Sequence, residues 1–95
     1  MNVIWSPEAI DDLAALRSYI SESDPTAARR VALHILHHIE IVLAENPDIG
    51  RVGRVAETRE AIVPKTPFVV PYRVREGTLE ILRVYHAARR WPEIF

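Results

Sequence analysis

A chain of 95 residues makes one domain with one thin core, and its composition, 48% hydrophobic and 26% charged, excludes global disorder. It has no cysteine, so disulfides and cysteine-based metal or nucleophile chemistry are excluded and a reducing compartment is permitted. The formal net charge of −1 gives no footing for strong non-specific nucleic-acid binding, yet the charge is uneven: residues 1–50 balance at −5 and residues 51–95 at +4.

The opening residues lack a basic and then apolar leader, and no run approaches the roughly 18 apolar residues of a membrane span, so the expectation is a cytoplasmic protein. Val3-Ile4-Trp5 is a short β-favouring run cut off by Ser6-Pro7. Ser6 is an N-cap with Pro7 at the first helical position, and Ala9, Leu13, Leu16 and Ile20 then share one stripe at helical spacing. Asp24 and Pro25 open a second helix in the same way, and Pro47 ends it near Asn46. Its broad apolar face (Ala28, Val31, Ala32, Ile35, Leu36, Ile39, Val42, Leu43) is wide enough to meet both the first helix and a sheet. The short connection between the helices predicts an antiparallel hairpin.

Residues 47–57 read as a loop made basic by Arg51 and Arg54. A short strand is expected at 59–63. Next, Phe68, Val70, Tyr72 and Val74 alternate with Val69, Pro71, Arg73 and Arg75, predicting one apolar and one partly cationic face. Pro71 cannot donate to a ladder, so it requires an edge or a bulge. Glu76-Gly77 is a tight turn, after which Thr78 to His86 returns antiparallel. The order β-α-α-β-β-β predicts an α+β domain spanning 1–95, with a helical hairpin packed on a mainly antiparallel sheet.

Among candidate chemistries, His34 and His38 lie one helical turn apart, but no third ligand falls beside them, so His34, His37 and His38 are expected on a solvated face and no metal or cofactor is expected. Ser6, Ser18, Ser21 and Ser23 read as caps or helix surface rather than nucleophiles. Gly50 and Gly53 lack the Lys-Ser/Thr that follows a phosphate-cradling loop. The concentrated feature is the end of the last strand, which gathers Arg83, His86, Arg89, Arg90 and Trp91. Arg83 shares its strand face with Leu79, Ile81 and Tyr85 and needs a partner if buried. Either Glu60 or a carboxylate of the first helix supplies that partner, or Arg83 joins a cationic surface facing RNA phosphate or an acidic protein.

The series Trp5-Ser6-Pro7-Glu8-Ala9-(x)2-Asp12-Leu13, the Pro-started second helix, Arg51 to Arg54, Arg59, Pro71-Tyr72-Arg73-Val74 and Ile81-Leu82-Arg83-Val84-Tyr85-His86-(x)2-Arg89-(x)-Trp91-Pro92 resembles the RelE/ParE superfamily of toxins from bacterial type II toxin–antitoxin systems. The resemblance covers essentially the whole chain and implies the same hairpin-on-sheet fold. It implies one of two activities. RelE-like members cleave mRNA on the ribosome; ParE-like members poison DNA gyrase without a nuclease set. Val69 stands where RelE-like enzymes carry a catalytic arginine and Phe95 where RelE carries a tyrosine, while Arg89 aligns with a further arginine. Valine cannot stabilise a phosphorane dianion and phenylalanine has no hydroxyl, so the resemblance favours the ParE-like, non-enzymatic reading. It then implies a gyrase target met by Arg83, His86, Arg89, Arg90 and Trp91, and a ParD-like ribbon-helix-helix antitoxin. An amphipathic segment of that antitoxin would lie between hairpin and sheet, with Tyr19, Ile41 and Phe68 as its contacts. The alternative is a RelE-like endoribonuclease built from Arg51, Arg54, Arg73, Arg83, His86 and Arg89.

Overall fold

In the computed structural model, which describes residues 1–95, Ser6 closes strand β1 (Asn2–Trp5) and opens helix α1 (Pro7–Ser21). Its N–H donates to Ile81 O at 2.9 Å, and its hydroxyl donates to Leu82 O at 2.7 Å and accepts from the Ala9 N–H at 3.0 Å. One residue thus ends a strand, caps a helix and ties both to the far end of the chain. A serine cap of this kind contributes about 1 kcal/mol. Asp24 caps α2 (Pro25–His37) in the same way, accepting from the Ala27 N–H at 3.0 Å.

Beyond His37 the second helix widens into a π-helical segment, His38–Leu43. Here the expected solvated histidine face is corrected. His37 is exposed and His34 Nε2 lies 2.7 Å from Pro64 O, but His38 is buried. It stands three positions after Ile35, on the same apolar stripe as Ile35 and Ile39, and that spacing could have identified it. Burial, with the neighbouring His34 and His37 adding to it, holds its pKa below the ordinary histidine value.

Five more strands follow: β2 (Arg51–Val52), β3 (Arg59–Ile62), β4 (Phe68–Arg75), β5 (Thr78–Ile81) and β6 (Tyr85–His86). The sheet order is β1-β5-β4-β3-β2 with β6 also beside β4, and only the β1–β5 pair is parallel. The fold is the expected α+β hairpin on a mainly antiparallel sheet. Ala9, Ile35, Ile39 and Leu43 from the helices meet Ala61, Val70, Tyr72, Leu79 and Ile81 from one face of the sheet. The Glu76-Gly77 turn has φ of 51° and 74°, the left-handed pair that lets two strands turn without splaying.

Two elements depart from expectation. Residues read wholly as loop include β2, and the returning strand is split. Tyr72 pairs with Ile81 and Val69 with Tyr85, so three residues, Leu82, Arg83 and Val84, oppose only Val70 and Pro71. This is a bulge opposite Pro71. The missing N–H of Pro71 leaves a gap on that side, while its carbonyl still accepts from Leu82 N–H at 3.0 Å. Released from the ladder, the Val84 N–H instead donates to Asp12 Oδ2 on α1 at 3.0 Å.

A second correction concerns the face of β4 expected to be partly cationic. Val69 and Pro71 are buried, whereas Val74, expected on the apolar face, is exposed. Val69 and Pro71 face away from the helices and are covered in part by Tyr85, which Trp91 and Phe95 of the C-terminal tail overlie. The sheet therefore has a second small apolar layer. The α1 stripe, by contrast, is only partly filled: Ala9 is buried, but Leu13, Leu16 and Ile20 are half-buried, leaving apolar surface beside the sheet.

Candidate functional site

The chain from Leu82 to Arg89 separates two grooves, and the bulge decides which side chains each receives. On the outer sheet face, reaching to Ser6 and Glu8 at the start of α1, lies a groove of about 620 Å³ walled by Arg73, Arg83, Tyr85, Arg89, Arg90 and Trp91, with Ile94 and Phe95 closing one side. On the helix side lies a second of about 630 Å³, walled mainly by Leu16, Tyr19, Ile20, Val31, Phe68 and Val84.

Tyr85 is the centre of the sheet-face groove. The Arg83 guanidinium lies 4.6 Å from its ring centroid and that of Arg89 4.5 Å, while Trp91 meets it edge-on at 5.0 Å. Arg54 in turn stacks on Trp91 at 3.8 Å. Alternating guanidinium and aromatic planes of this kind hold cations in fixed orientation while leaving their N–H edges available to an anion.

Most of the arginines have partners within the fold. Glu60, 2% exposed, accepts from Arg51 Nε at 3.0 Å and Nη2 at 2.9 Å, and from the Arg54 backbone N–H at 2.8 Å, Nε at 3.1 Å and Nη2 at 3.2 Å. Burial alone would raise the Glu60 pKa, but the Arg54 N–H and the two guanidinium groups outweigh it and hold the carboxyl below its ordinary value. Arg73 pairs with Glu80 across β4 and β5. Arg83 donates through Nε and Nη2 to the two oxygens of Asp12, at 2.7 and 2.8 Å; this hydrogen bonding raises the arginine's already high pKa. Arg89 and Arg90 make no ion pair, so they are the cations of this groove free to engage a ligand.

The helix-side groove is apolar in its floor and basic at its rim, where Lys65, His86 and Arg89 stand. Its one carboxylate, Asp12, is already bound by Arg83. The His86 and Phe68 rings stand nearly perpendicular, with centroids 5.9 Å apart, and His86 Nδ1 accepts from the Ala88 N–H at 3.1 Å.

A family model described as the ParE toxin of type II toxin–antitoxin system, parDE, matches residues 3–91. The chain belongs to the ParE toxin family. It is 39% identical over 90 residues to the toxin candidate Y4kP of Sinorhizobium fredii, covering 95% of this chain and 92% of that protein. It is likewise 39% identical over 87 residues to toxin RelE2 of Caulobacter vibrioides, covering 92% and 96%. A solved chain of the chromosomal ParDE toxin–antitoxin system from P. aeruginosa superposes with a TM-score of 0.82 at 25% identity, covering 90% of this chain and 95% of that one.

Against this ParE-family frame, the residues singled out in the sequence divide. Arg83, Arg89, Arg90 and Trp91 come together around Tyr85, but His86 points to the other groove. Arg83 is held by a helix α1 carboxylate, one of the two partners anticipated for it, and Glu60 instead serves Arg51 and Arg54. Tyr19 and Phe68 line the helix-side groove together, whereas Ile41 stands exposed on the π-helical segment and is not among its walls. Tyr85, on which these side chains converge, is the site residue that the sequence reading missed. Its position between two arginines in the sequence cluster was the available signal.

Proposed function

We propose that this ParE-family toxin acts in the cytoplasm on DNA gyrase by binding rather than by cleaving RNA, and that a ParD-like ribbon-helix-helix antitoxin neutralises it. The observation that carries the reading is how the candidate nuclease residues are engaged. Of Arg51, Arg54, Arg73, Arg83, His86 and Arg89, the first four sit in the fold's own ion pairs and His86 faces the other groove. Stabilising a phosphorane needs cations free to meet charge as it develops, and a positioned group to move the 2′-hydroxyl proton. A pair of free arginines beside Trp91 and Tyr85 suits recognition of a partner surface instead. The sheet-face groove, through Arg89, Arg90 and Trp91, is the target-binding site in this reading, with Arg83 shaping its wall.

The antitoxin site is the helix-side groove. Half-buried Leu16 and Ile20, with Tyr19 at 76% exposure and Phe68 opposite, offer the apolar face that an amphipathic segment needs. Ile41 serves as an outlying contact for a longer segment.

Purified toxin added to gyrase and supercoiled plasmid tests the target. The expected result is inhibited supercoiling with trapped double-strand breaks. Unchanged supercoiling, together with cut mRNA on programmed ribosomes, supports the second reading, a RelE-like endoribonuclease, which the Caulobacter relative named toxin RelE2 favours.

A further inference from the structure

The wall between the two grooves is one strand thick, and one residue belongs to both sides. Leu82, Arg83 and Tyr85 line the sheet-face groove, Val84 and His86 line the helix-side groove, and Arg89 lines each. Arg89 is exposed, makes no ion pair, and is held in the sheet-face groove only by the face of Tyr85. A cation on an aromatic face near solvent is weakly held, whereas a carboxylate offers a guanidinium short, charge-assisted hydrogen bonds. The helix-side groove has a place for such a carboxylate. Its rim carries Lys65, His86 and Arg89, and Asp12, the only acid in its wall, is already occupied by Arg83. Trp91 meets the same Tyr85 at 5.0 Å, carries Arg54 on its own ring at 3.8 Å and has an indole N–H buried without an acceptor, so its indole reports on the surroundings of the Tyr85 ring.

Resting on the antitoxin reading above, we infer that Arg89 couples the two grooves in opposition. An acidic residue of the antitoxin segment seated in the helix-side groove draws the Arg89 guanidinium off Tyr85. That removes one of the two unpaired cations from the sheet face and changes the surroundings of the Tyr85 ring against which Trp91 packs. The antitoxin thereby silences the target face without covering it. By linkage, a ligand that fixes Arg89 in the sheet-face groove weakens antitoxin binding by the same factor, a coupling of about fivefold or more.

The two tryptophans allow a direct test in the full chain. Their indole N–H resonances in ¹⁵N-labelled toxin are assigned with Trp91→Phe, and Trp5, whose Nε1 donates to Glu40 at 2.9 Å, serves as the internal reference. The probe is a synthetic peptide of the C-terminal half of the ribbon-helix-helix protein encoded beside the toxin gene, with affinity measured by calorimetry. The expected result is that peptide binding shifts the Trp91 resonance and leaves Trp5 in place. In Arg89→Ala, binding weakens about tenfold, as for loss of a charge-assisted pair, and the Trp91 shift disappears. In Arg89→Lys, which keeps the charge but lacks the flat face that stacks on Tyr85, the peptide still binds and the Trp91 shift is again lost. A Trp91 shift that persists in both variants, or an unmoved Trp91 in the wild-type complex, overturns the coupling and leaves the antitoxin reading standing. A peptide that fails to bind, or whose binding is indifferent to Tyr19→Ala, overturns the antitoxin reading and the coupling with it.

Discussion

Asp12 on α1 and Arg83 in the bulge, 71 residues apart in sequence, share two parallel hydrogen bonds of 2.7 and 2.8 Å. Asp12 also accepts the Val84 N–H, so one carboxylate holds the helix, the bulge and the dividing wall of both grooves. Asp12→Ala leaves a guanidinium and a backbone donor unpaired with only 23% of the arginine side chain exposed. The expected loss is about 2 kcal/mol, below the 3–5 kcal/mol of a fully buried pair because water reaches part of this one. Adding Arg83→Met to that variant should recover part of the loss. Urea unfolding of the two variants and the parent measures both values.

Acid should weaken the fold through Glu60. Its carboxyl is held below the ordinary value near 4.5, because the Arg54 N–H and the two guanidinium groups overcome the effect of burial. A carboxyl with a depressed folded pKa contributes stability that is fully present above the unfolded value and is lost as pH falls through the folded one. Stability of the parent should therefore decline below about pH 4.5, and Glu60→Gln should flatten that decline while costing about 2 kcal/mol at pH 7. Denaturant midpoints at a series of pH values provide the comparison.

His38 adds a separate step at higher pH. A base whose folded pKa is lowered takes up its proton first in the unfolded chain, so stability falls as pH drops below the unfolded value of 6.5 and stops changing beneath the lowered folded value. The groups facing it are His34 and His37 on its own helix and, across a cavity of about 210 Å³, Arg51 and Glu60. Between pH 7 and 5 the parent should lose stability that His38→Gln does not lose. Thermal melts at constant ionic strength separate the two.

Arg90→Glu tests the target face without touching the fold. Arg90 is exposed, unpaired and in the wall of the sheet-face groove. Reversing a surface charge away from other contacts changes stability by less than about 0.5 kcal/mol. Inhibition of gyrase supercoiling should weaken at least about tenfold, the loss expected when an interfacial cation is reversed. An unchanged inhibition curve would remove Arg90 from the target surface.

The elements most legible in the sequence were those fixed by near neighbours. Ser6-Pro7 and Asp24-Pro25 marked two helix starts, and Glu76-Gly77 a turn, because caps and turns act over three or four residues. The bulge required knowledge of what stands opposite Pro71, and sequence offered only the alternatives of an edge or a bulge. Arg51 and Arg54 read as a basic loop because their partner Glu60, buried beneath them, gives no local sign of burial. The same limit applies to the site. A cluster of cations was visible, but which of them the fold engages depends on Asp12, Glu60 and Glu80, each brought in by a different element.

The only sheet partner of β1 is β5, whose register sets Asn2 against Thr78. The first strand synthesised therefore waits for more than three-quarters of the chain before it can pair, and Ser6 waits as long for Ile81 and Leu82. Closure of so long a loop is slow, and until then Val3 and Trp5 are unshielded. A chain interrupted before Thr78 has β2, β3 and β4 but lacks the partner of β1 and the dividing wall, so the proposed target face and the proposed antitoxin groove are completed in the same late moment of synthesis.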